Sequence, residues 1–579
     1  MATRKVGILL PPYIPPMLMS QRRSPKYLLR HSYICIWCAV ALLAIFANGS
    51  HAWADATDDK PKKPAQEERV YLIHADHLRY DQMKYPGAQR LSGKVKFSHA
   101  GMTLSCDSAV LYEITNSFEA TGHVVMTQGD TLSLTGDSLY YTGSTQIAEV
   151  RRNVRLRHRN QILLTDTLNY ERMTGKGYYI NGGELIDGDN HLTSEEGEYY
   201  TTTRKATFQN DVRLKNPKFT LTTNTLHYDT RTKWAHVVGP SNIENDNNRI
   251  YTEDAYYNSQ TEKVRLYSKS TLYDRKRNST MTGDSIFYNK QEGIMEAFQN
   301  IVYDDRANKN RMYGDYCRYN ENTGEAIAYG RALAKDFSQS DDTLFVHADT
   351  IRMFTYNIRT DSVYRVMHAC PHVRSYRSDV QLVCDSMVAN SQLKRIDLYR
   401  DPIVWSDNRQ IIGEEINVFS NDSTLDSIYV QRQALMVERL DSTHYNQVAS
   451  NLMRAFFDSK GEIYQNNADG NVCVIFYPLE KDSVLLYQNY LETAAMRLYL
   501  EDRKMKKIWT TAAQGELYPI GLAPQDRTFL PSFAWFDYIR PRDKYDLFEW
   551  RAKKTGSELK ASIRRKPPVR KLGKKKSQD

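Results

Sequence analysis

Apolar and polar side chains alternate along most of this chain, in short runs separated by turn residues. Residues 122–141, GHVVMTQGDTLSLTGDSLYY, contain two such runs around a Gly-Asp turn. A period of two in each run predicts β-strands, and the short turn between the runs predicts antiparallel pairing. No run with helical spacing interrupts the pattern, so the sequence argues against β-α-β units.

The same phrase returns about every thirty residues, which is typical of a repeat architecture. A polar or Gly-led V-x-apolar strand accompanies it, as in GKVKF at 93–97 and NVRL at 153–156. One residue, usually an acid, marks each copy and is called the anchor here. The anchors are Asp76, Asp107, Asp137, Asp166, Glu196, Asn224, Asp254, Asp284, Asp315, Asp349, Asp385 and Glu414.

The alternation changes phase at each anchor. Leu134 and Gly136 lie an odd number of residues before Asp137. Leu139 and Tyr141 lie an even number of residues after it. Because a slip of one residue turns side chains to the other face of a strand, the anchor predicts a bulge or corner between two sheets. The acid itself is expected to form the turn and to bond to backbone, and is not expected to be a catalytic acid.

Composition shifts predict five parts of the chain. Residues 1–54 have basic residues, an apolar run and Ala52-Trp53-Ala54, which predict a signal peptide cleaved after Ala54. The alternative is that this segment is not cleaved and stays in the membrane, although the apolar run at 34–46 is shorter than the about 20 residues of a membrane-spanning helix. The next parts are a linker at 55–69, the repeat array at 70–437 and a diverged continuation of the repeats at 438–550. A helical domain is the alternative for 438–550. A basic tail at 551–579, low in apolar residues, is predicted to be disordered.

The net charge of +9 comes from the two ends of the chain. Residues 55–550 are mildly acidic, so the basic balance does not predict nucleic-acid binding. Tyrosine supplies 40 of the aromatic residues, against 18 Phe and 7 Trp, which suits half-exposed strands. Three interpretations of the basic tail stay open: solvated disorder, contact with phosphates or anionic lipid, and binding of a partner.

Cysteine and histidine positions carry little predicted chemistry. Five widely spaced cysteines follow Ala54, which favours buried thiols, with a Cys370–Cys384 disulfide as the alternative. His368 and His372 form the most metal-like cluster, but no second ligand pair is spaced suitably, so a surface strand is favoured. The sequence has no phosphate-binding glycine loop, nucleophile elbow or zinc-protease motif, and no enzyme, cofactor or metal is predicted.

The G-x-V-x-apolar strand followed by L-x-L-x-small-Asp-x-apolar-x-Tyr resembles the OstA/LptA family of lipopolysaccharide transport proteins. The resemblance runs through most of 70–437 and more weakly to about 520. It implies an all-β fold, an elongated β-jellyroll or β-taco solenoid of about 30-residue two-strand repeats. It also implies a periplasmic, non-enzymatic bridge that carries lipopolysaccharide toward the outer membrane. The implied partners are lipopolysaccharide and the inner- and outer-membrane transport components.

A groove between the two sheets is the expected binding site. Sheets packed about 10 Å apart leave room for acyl chains if they splay. The alternative is a closed core, which would make the protein an envelope scaffold; a carbohydrate-active enzyme, the third hypothesis, needs a converging pair of acids. The candidate groove residues are Val95, Phe97, Leu104, Val124, Met126, Leu134, Val154, Leu156, Leu163, Val212, Leu214 and Leu221.

Overall fold

A computed structural model describes residues 69–564, apart from gaps at 81–82, 84–86, 339–341, 359, 422–424, 479–483 and 502–503. The predicted signal peptide at 1–54 and residues 55–68 of the predicted linker lie outside the described residues. So does the end of the basic tail, 565–579.

Forty β-strands occur in the described part of the chain, and all of the strand pairs are antiparallel. The first sixteen are β1 Tyr71–His74, β2 His77–Tyr80, β3 Ala88–His99, β4 Met102–Tyr112, β5 Ser117–Gln128, β6 Leu132–Thr142, β7 Ile147–His158, β8 Gln161–Glu171, β9 Lys176–Tyr179, β10 Gly183–Asp187, β11 Asn190–Ser194, β12 Glu196–Tyr200, β13 Lys205–Asn216, β14 Phe219–Asp229, β15 Trp234–Glu244 and β16 Asn248–Asn258.

The middle of the array contains shorter strands, because most of the long strands there are divided in two at the anchor or at the bulge opposite it. These are β17 Lys263–Leu266, β18 Ser270–Asp274, β19 Ser279–Gly283, β20 Ser285–Asn289, β21 Ile294–Asp305, β22 Asn310–Asn320, β23 Glu325–Tyr329, β24 Leu333–Asp336, β25 Leu344–His347, β26 Thr350–Tyr356, β27 Tyr364–Cys370, β28 Val373–Tyr376, β29 Gln381–Cys384, β30 Ser386–Asn390, β31 Arg395–Tyr399, β32 Ile403–Ser406, β33 Arg409–Ile412 and β34 Glu415–Ser420.

Six further strands end the array, and little helix follows them. The strands are β35 Leu425–Arg439, β36 Tyr445–Phe457, β37 Ile463–Phe476, β38 Tyr487–Glu501, β39 Lys504–Thr510 and β40 Gln514–Pro519. A one-turn helix, α1, spans Gln525–Thr528, and two 3-10 helices span Asp537–Ile539 and Asp546–Phe548.

The long strands bend in the middle, so that each contributes one half to each of two facing sheets. The pairing register of β3 with β4 shifts between Ser92 and Val95, at the predicted corner. Across the interior, the ring of Phe97 stacks on that of Phe118 with centroids 4.3 Å apart. We call the sheet that contains Phe97 sheet I and the sheet that contains Phe118 sheet II. The predicted all-β array of antiparallel repeats is confirmed.

The anchor acids hold the corners through side-chain contacts. His123 Nδ1 lies 2.8 Å from Asp107 Oδ2, and Asn153 Nδ2 donates to Asp137 Oδ2 at 2.8 Å. Both partners have a positive φ, 45° for His123 and 49° for Asn153, as the bulge requires. The predicted corner is therefore present. The expected bond from anchor to backbone is replaced, at these two corners, by a bond to the bulge residue of the next strand.

The glycine of the G-x-V strand is explained by the same corner. A Cβ atom on Gly122 would lie 2.4 Å from Asp107 Oδ2, and Gly122 has a φ of +77°. Gly93 stands in the same relation to Asp76. The glycine and the acid that the sequence repeats are thus two sides of one close contact.

An irregular segment, residues 520–562, crosses the outer face of sheet I after β40; we call it the strap. It passes first over β38, where Gln488 Nε2 donates to the carbonyl of Arg527 at 2.6 Å, and then over β36, where Leu530 N donates to Gln447 Oε1 at 2.9 Å. It reaches β25, where the ring of Phe548 lies 4.8 Å from that of His347, and then turns back. Near its end, Ser562 Oγ donates to the carbonyl of Asn471 at 2.8 Å.

Two fully buried glutamines bind the strap backbone as a neighbouring strand would. Gln410 Nε2 donates to the carbonyl of Ala534 at 2.9 Å, and its Oε1 accepts from Phe536 N at 2.7 Å. Gln447 binds the strap in the same two-point manner. Beneath the strap, an apolar cluster that includes Trp405 is removed from water. The paired amides satisfy backbone groups that burial would otherwise leave unbonded.

Two predicted boundaries are corrected by the strap. The predicted continuation of the repeats over 438–550 ends at Pro519, because the strap follows. The predicted disordered tail does not start at Arg551: Arg551 binds Asp546, and Lys553 Nζ lies 3.5 Å from Asp401. The contact of Lys553 with Asp401 and the bond from Ser562 to Asn471 hold the first part of that tail against the array.

Candidate binding groove between the two sheets

One column of side chains, the sheet I ladder, runs along the whole inner face of sheet I. Each member is the pairing partner of the next, so the column continues from strand to strand. Ten consecutive members, from Phe97 to Leu221, are at most 6 % exposed. They are Phe97, Leu104, Met126, Leu134, Leu156, Leu163, Leu185, Leu192, Leu214 and Leu221.

All twelve predicted groove residues point inward in this first part of the array. Eight belong to the sheet I ladder, and Val95, Val124, Val154 and Val212 lie beside it at the corner. All twelve are buried in one apolar cluster. Their inward direction matches the prediction, but the structure seals them from solvent, and their contact with lipid stays a prediction.

A second column, the sheet II ladder, faces the first across the interior. Its early members are also buried, and tyrosine alternates there with small residues. They are Phe118, Tyr141, Ala148, Tyr170, Gly177, Tyr199, Ala206, Tyr228 and Ala235. We call residues 88–237 the closed segment, because both ladders are sealed along it.

The rim opposite the corners is shut in the closed segment by bonds between the sheets. Four polar side chains at the sheet I rim each meet a tyrosine 41 or 42 residues further along the chain, in sheet II. We call these pairs the tyrosine clamps. They are His99 with Tyr141 at 2.8 Å, Gln128 with Tyr170 at 3.5 Å, His158 with Tyr199 at 2.8 Å and Asp187 with Tyr228 at 2.7 Å.

Two cations of the sheet II rim reinforce these clamps. Arg172 donates to Tyr141 Oη at 3.1 Å and to the carbonyl of Ala100 at 2.8 Å. Lys233 Nζ donates to Asp187 Oδ2 at 2.6 Å. The closed rim is therefore a set of largely buried polar contacts, which are costly to break one partner at a time. Within it, Arg172 Nε and Gln161 Oε1 are buried without a hydrogen-bond partner.

Burial sets the ionisation of the clamp groups. Burial raises the pKa of Tyr199 and lowers the pKa of His158, which Arg159 and Arg204 lower further. Burial alone would raise the pKa of Asp187, but hydrogen bonds from Lys233, Tyr228 and Gln161 hold that pKa below its usual value. At neutral pH the clamps thus pair neutral tyrosines with a neutral imidazole at His158 and a carboxylate at Asp187.

The clamps end where the sheet II ladder reaches Tyr257. The ring of Tyr257 packs edge-on against Phe219 with centroids 5.0 Å apart. The next tyrosine, Tyr288, donates to Glu321 of its own sheet at 3.1 Å. A small cavity lies at this transition, lined by ladder residues of both sheets, among them Leu214 and Tyr257.

Beyond this point the inner face is partly accessible to solvent on both sheets. We call residues 243–428 the open segment. In sheet I its half-buried ladder members are Ile243, Ile250, Leu272, Tyr303, Met312, Ala334, Leu382, Val404 and Ile411, while Met281, Val346 and Ser375 are buried.

Sheet II opens over the same range. Its half-buried ladder members are Tyr257, Val264, Tyr288, Met295, Tyr319, Ala326, Met353, Met367, Ala389, Ile396, Val418 and Ile428. A second inner column nearer the corner, with Ala255, Ile286 and Ala297, remains buried. The open segment is therefore a groove with a sealed apolar floor and accessible apolar walls. The predicted candidates missed it, since all of them lie in the closed segment.

The other predicted chemistry has structural explanations. The five cysteines at 106, 317, 370, 384 and 473 are free thiols, and burial raises the pKa of Cys106 to about 11. His372 Nδ1 lies 2.8 Å from Asp349, and its ring packs against Trp550 of the strap. No group of three or more His, Cys, Asp or Glu side chains suited to a metal ion occurs among the described residues.

Comparison with known families agrees with this array. Residues 67–224 match the family model described as OstA-like protein. Residues 178–275 match a second model, lipopolysaccharide-assembly, LptC-related. The predicted resemblance is confirmed over these residues, which cover the OstA-like closed segment and the start of the open segment.

A solved structure and the curated proteins add little to the family assignment. The structure is that of LptH, the LptA homologous periplasmic component of the lipopolysaccharide transport device of Pseudomonas aeruginosa. It is 17% identical over 22% of this chain and 76% of that chain, with a TM-score of 0.12. No curated protein matches the chain. Among the described residues, no helix is long and apolar enough to cross a membrane.

Proposed function

We propose that this protein is a non-enzymatic, periplasmic bridge that carries lipopolysaccharide toward the outer membrane. The observation that carries the proposal is the open segment, where accessible apolar side chains follow one another on both inner walls. The OstA-like and LptC-related matches support the lipopolysaccharide class of cargo and the partnership with other transport components.

The open segment suits acyl chains on physical grounds. Twelve paired rungs of the sheet I ladder, from Ile243 to Ile411, extend over about 50 Å at the spacing of neighbouring strands. Most wall residues are Leu, Ile, Val or Met, whose contacts with a hydrocarbon are non-directional, and the others are Tyr, Ala and Ser. A chain can therefore move from rung to rung without breaking any specific bond, and transport along the groove needs no catalysis by the protein.

The closed segment favours a second role for the OstA-like region. Its core is sealed at the corner and, through the tyrosine clamps, at the rim. A closed core was the feature expected of an envelope scaffold, and here it is limited to one part of the array. We assign it the role of a stiff spacer that extends the bridge, with cargo confined to the open segment.

Photo-crosslinking to purified lipopolysaccharide tests the proposal. A photoreactive residue is placed at Met312 in the open segment, at Leu134 in the closed segment, or at Lys96 on the outer face. We expect a lipopolysaccharide adduct at Met312 and none at Lys96, with Leu134 labelled weakly or not at all. Labelling at Lys96 equal to that at Met312 would mean nonspecific adsorption, and no labelling at Met312 would refute the groove.

A further inference from the structure

Two neighbouring turns at the sheet I rim of the open segment are unusually basic. The turn between β18 and β19 contains Arg275, Lys276 and Arg277, and the turn between β21 and β22 contains Arg306 and Lys309; all five are exposed. We call these five residues the basic rim. In the closed segment, the turns of the same rim at 129–131, 159–160, 188–189 and 217–218 hold two cations and two acids together.

The two basic turns are in direct contact. Arg306 N donates to the carbonyl of Asn278 at 3.3 Å, and β19 pairs with β21 in register from Ser279 with Asp305. On the far side, Phe337 N donates to the carbonyl of Lys309 at 3.0 Å. The five cations therefore lie side by side along one stretch of the rim.

Nearby acids neutralise only part of this charge. Arg277 lies 3.8 Å from Asp274, Arg275 lies 3.8 Å from Glu244, and Arg306 lies 3.5 Å from Asp304. These are long contacts, and the arginine in each is exposed to solvent, so they stabilise little. Lys276 and Lys309 form no ion pair within the part of the chain that the structure describes. The basic rim thus keeps unpaired positive charge.

This charge stands directly at the mouth of the groove. Partial burial lowers the pKa of Arg277, but the nearby Tyr319 of the opposite wall and Tyr303 raise it above its usual value. Leu272 and Met281, each two residues from the end of its strand, are the ladder members of the same hairpin. An amphiphile with its chains between the walls would place its headgroup at this turn.

We propose that the basic rim binds the phosphate of an amphiphile whose acyl chains occupy the open segment. This inference rests on the proposed function and adds to it the headgroup chemistry and the place along the array where it is recognised. Cations that are unpaired at an apolar mouth complement a molecule with phosphate at one end and hydrocarbon at the other. The occupant is a lipid phosphate, since free phosphate would use the charge and not the walls.

Binding of two matched amphiphiles to the full-length chain tests the inference. Titration calorimetry compares myristoyl-lysophosphatidic acid with monomyristoylglycerol, which has the same acyl chain and no phosphate; inorganic phosphate is the third ligand. The variant is Lys276→Gln with Lys309→Gln. The control variant, Lys94→Gln with Lys96→Gln, removes two exposed lysines from the closed segment.

We expect the phosphorylated amphiphile to bind more tightly than monomyristoylglycerol. The rim variant should weaken its binding about fivefold, as two exposed charge contacts would, and less so at high salt. The rim variant should bind monomyristoylglycerol as wild type does, and the control variant should bind both amphiphiles as wild type does.

Four results would overturn the inference. If both amphiphiles bind wild type equally, phosphate binding at the basic rim is refuted, while acyl-chain binding in the open segment is not. Equal losses in the rim and control variants would mean a general charge effect, and inorganic phosphate that binds wild type as tightly as the lipid would mean a free-phosphate site. If neither amphiphile binds wild type, the proposed function fails as well.

Discussion

The closed and open segments have the same repeat and nevertheless different interiors. In both, paired apolar residues follow one another along the inner faces, and in both the strands bend at the anchors. Along 88–237 the ladders are sealed, whereas along 243–428 most of their members are half-buried. Since the apolar pattern is common to both, burial of apolar area alone does not decide whether the groove closes.

The difference lies at the rim opposite the corners. Four tyrosine clamps span the closed segment at a spacing of 41 or 42 residues, and the series stops at Asp187 with Tyr228. Beyond it, Tyr288 turns to an acid of its own sheet. A few polar contacts between the sheets therefore separate a spacer from a binding groove in one continuous array.

The largest expected contrast comes from matched substitutions on the sheet I ladder. Leu134→Ala in the closed segment removes a fully buried side chain and should lower the local free energy of opening by about 3 kcal/mol, because it leaves a cavity. Leu272→Ala in the open segment removes a half-buried side chain and should cost about 1 kcal/mol. Hydrogen exchange of peptides from β6 and β18 measures both; equal losses would argue that both segments are closed.

Removal of a clamp hydroxyl should have a smaller effect. Tyr199→Phe leaves the buried His158 without its partner and should lower the opening free energy of β12 by about 1–2 kcal/mol. Tyr288→Phe removes an exposed bond within sheet II and should cost about 0.5 kcal/mol or less in β20. Hydrogen exchange is again the measurement, and a larger effect at Tyr288 than at Tyr199 would contradict the clamp.

Acidification should loosen one clamp slightly. Burial lowers the pKa of His158 in the folded protein below its unfolded value of 6.5. The stability that neutral His158 contributes to the clamp is therefore complete above pH 6.5 and declines as the pH falls toward the folded pKa. Exchange in β12, corrected for the intrinsic pH dependence, should therefore increase between pH 7.5 and 5.5. The Gln128–Tyr170 clamp has no imidazole and is the internal control. His158→Gln should abolish the pH effect, and an unchanged pH effect in that variant would refute this assignment.

The sequence predicts much of this fold because the residues within each repeat determine the strands and the corner of that repeat. Alternation identified the strands, and the phase change at Asp137 identified the corners. The contact of Gly122 with Asp107 explains why glycine and acid recur together. Such features are local or involve neighbouring strands, which is why one repeat suffices to show them.

The strap and the opening of the groove were not predictable in the same way. In the sequence, Gln410 and Gln447 are indistinguishable from ordinary outward-facing strand residues, although the strap covers both in the structure. The residues of the strap itself show no repeat. The apolar ladder continues unchanged past Leu221, so it gives no sign that the interior opens. The spacing of polar residues gives no sign either, because Asn216 ends β13 41 residues before Tyr257, as His158 precedes Tyr199, but bonds Asn190 instead.

Hydroxyl-radical footprinting of the unmodified chain tests the difference between the segments most directly. Methionine is readily oxidised in proportion to its exposure, and both segments carry it on their inner faces. Met126 lies in the closed segment, Met312 and Met353 lie in the open segment, and the surface residue Met173 gives the upper limit of reactivity. We predict oxidation of Met312 and Met353 about tenfold faster than that of Met126. Equal rates for all three would show that the groove is not open.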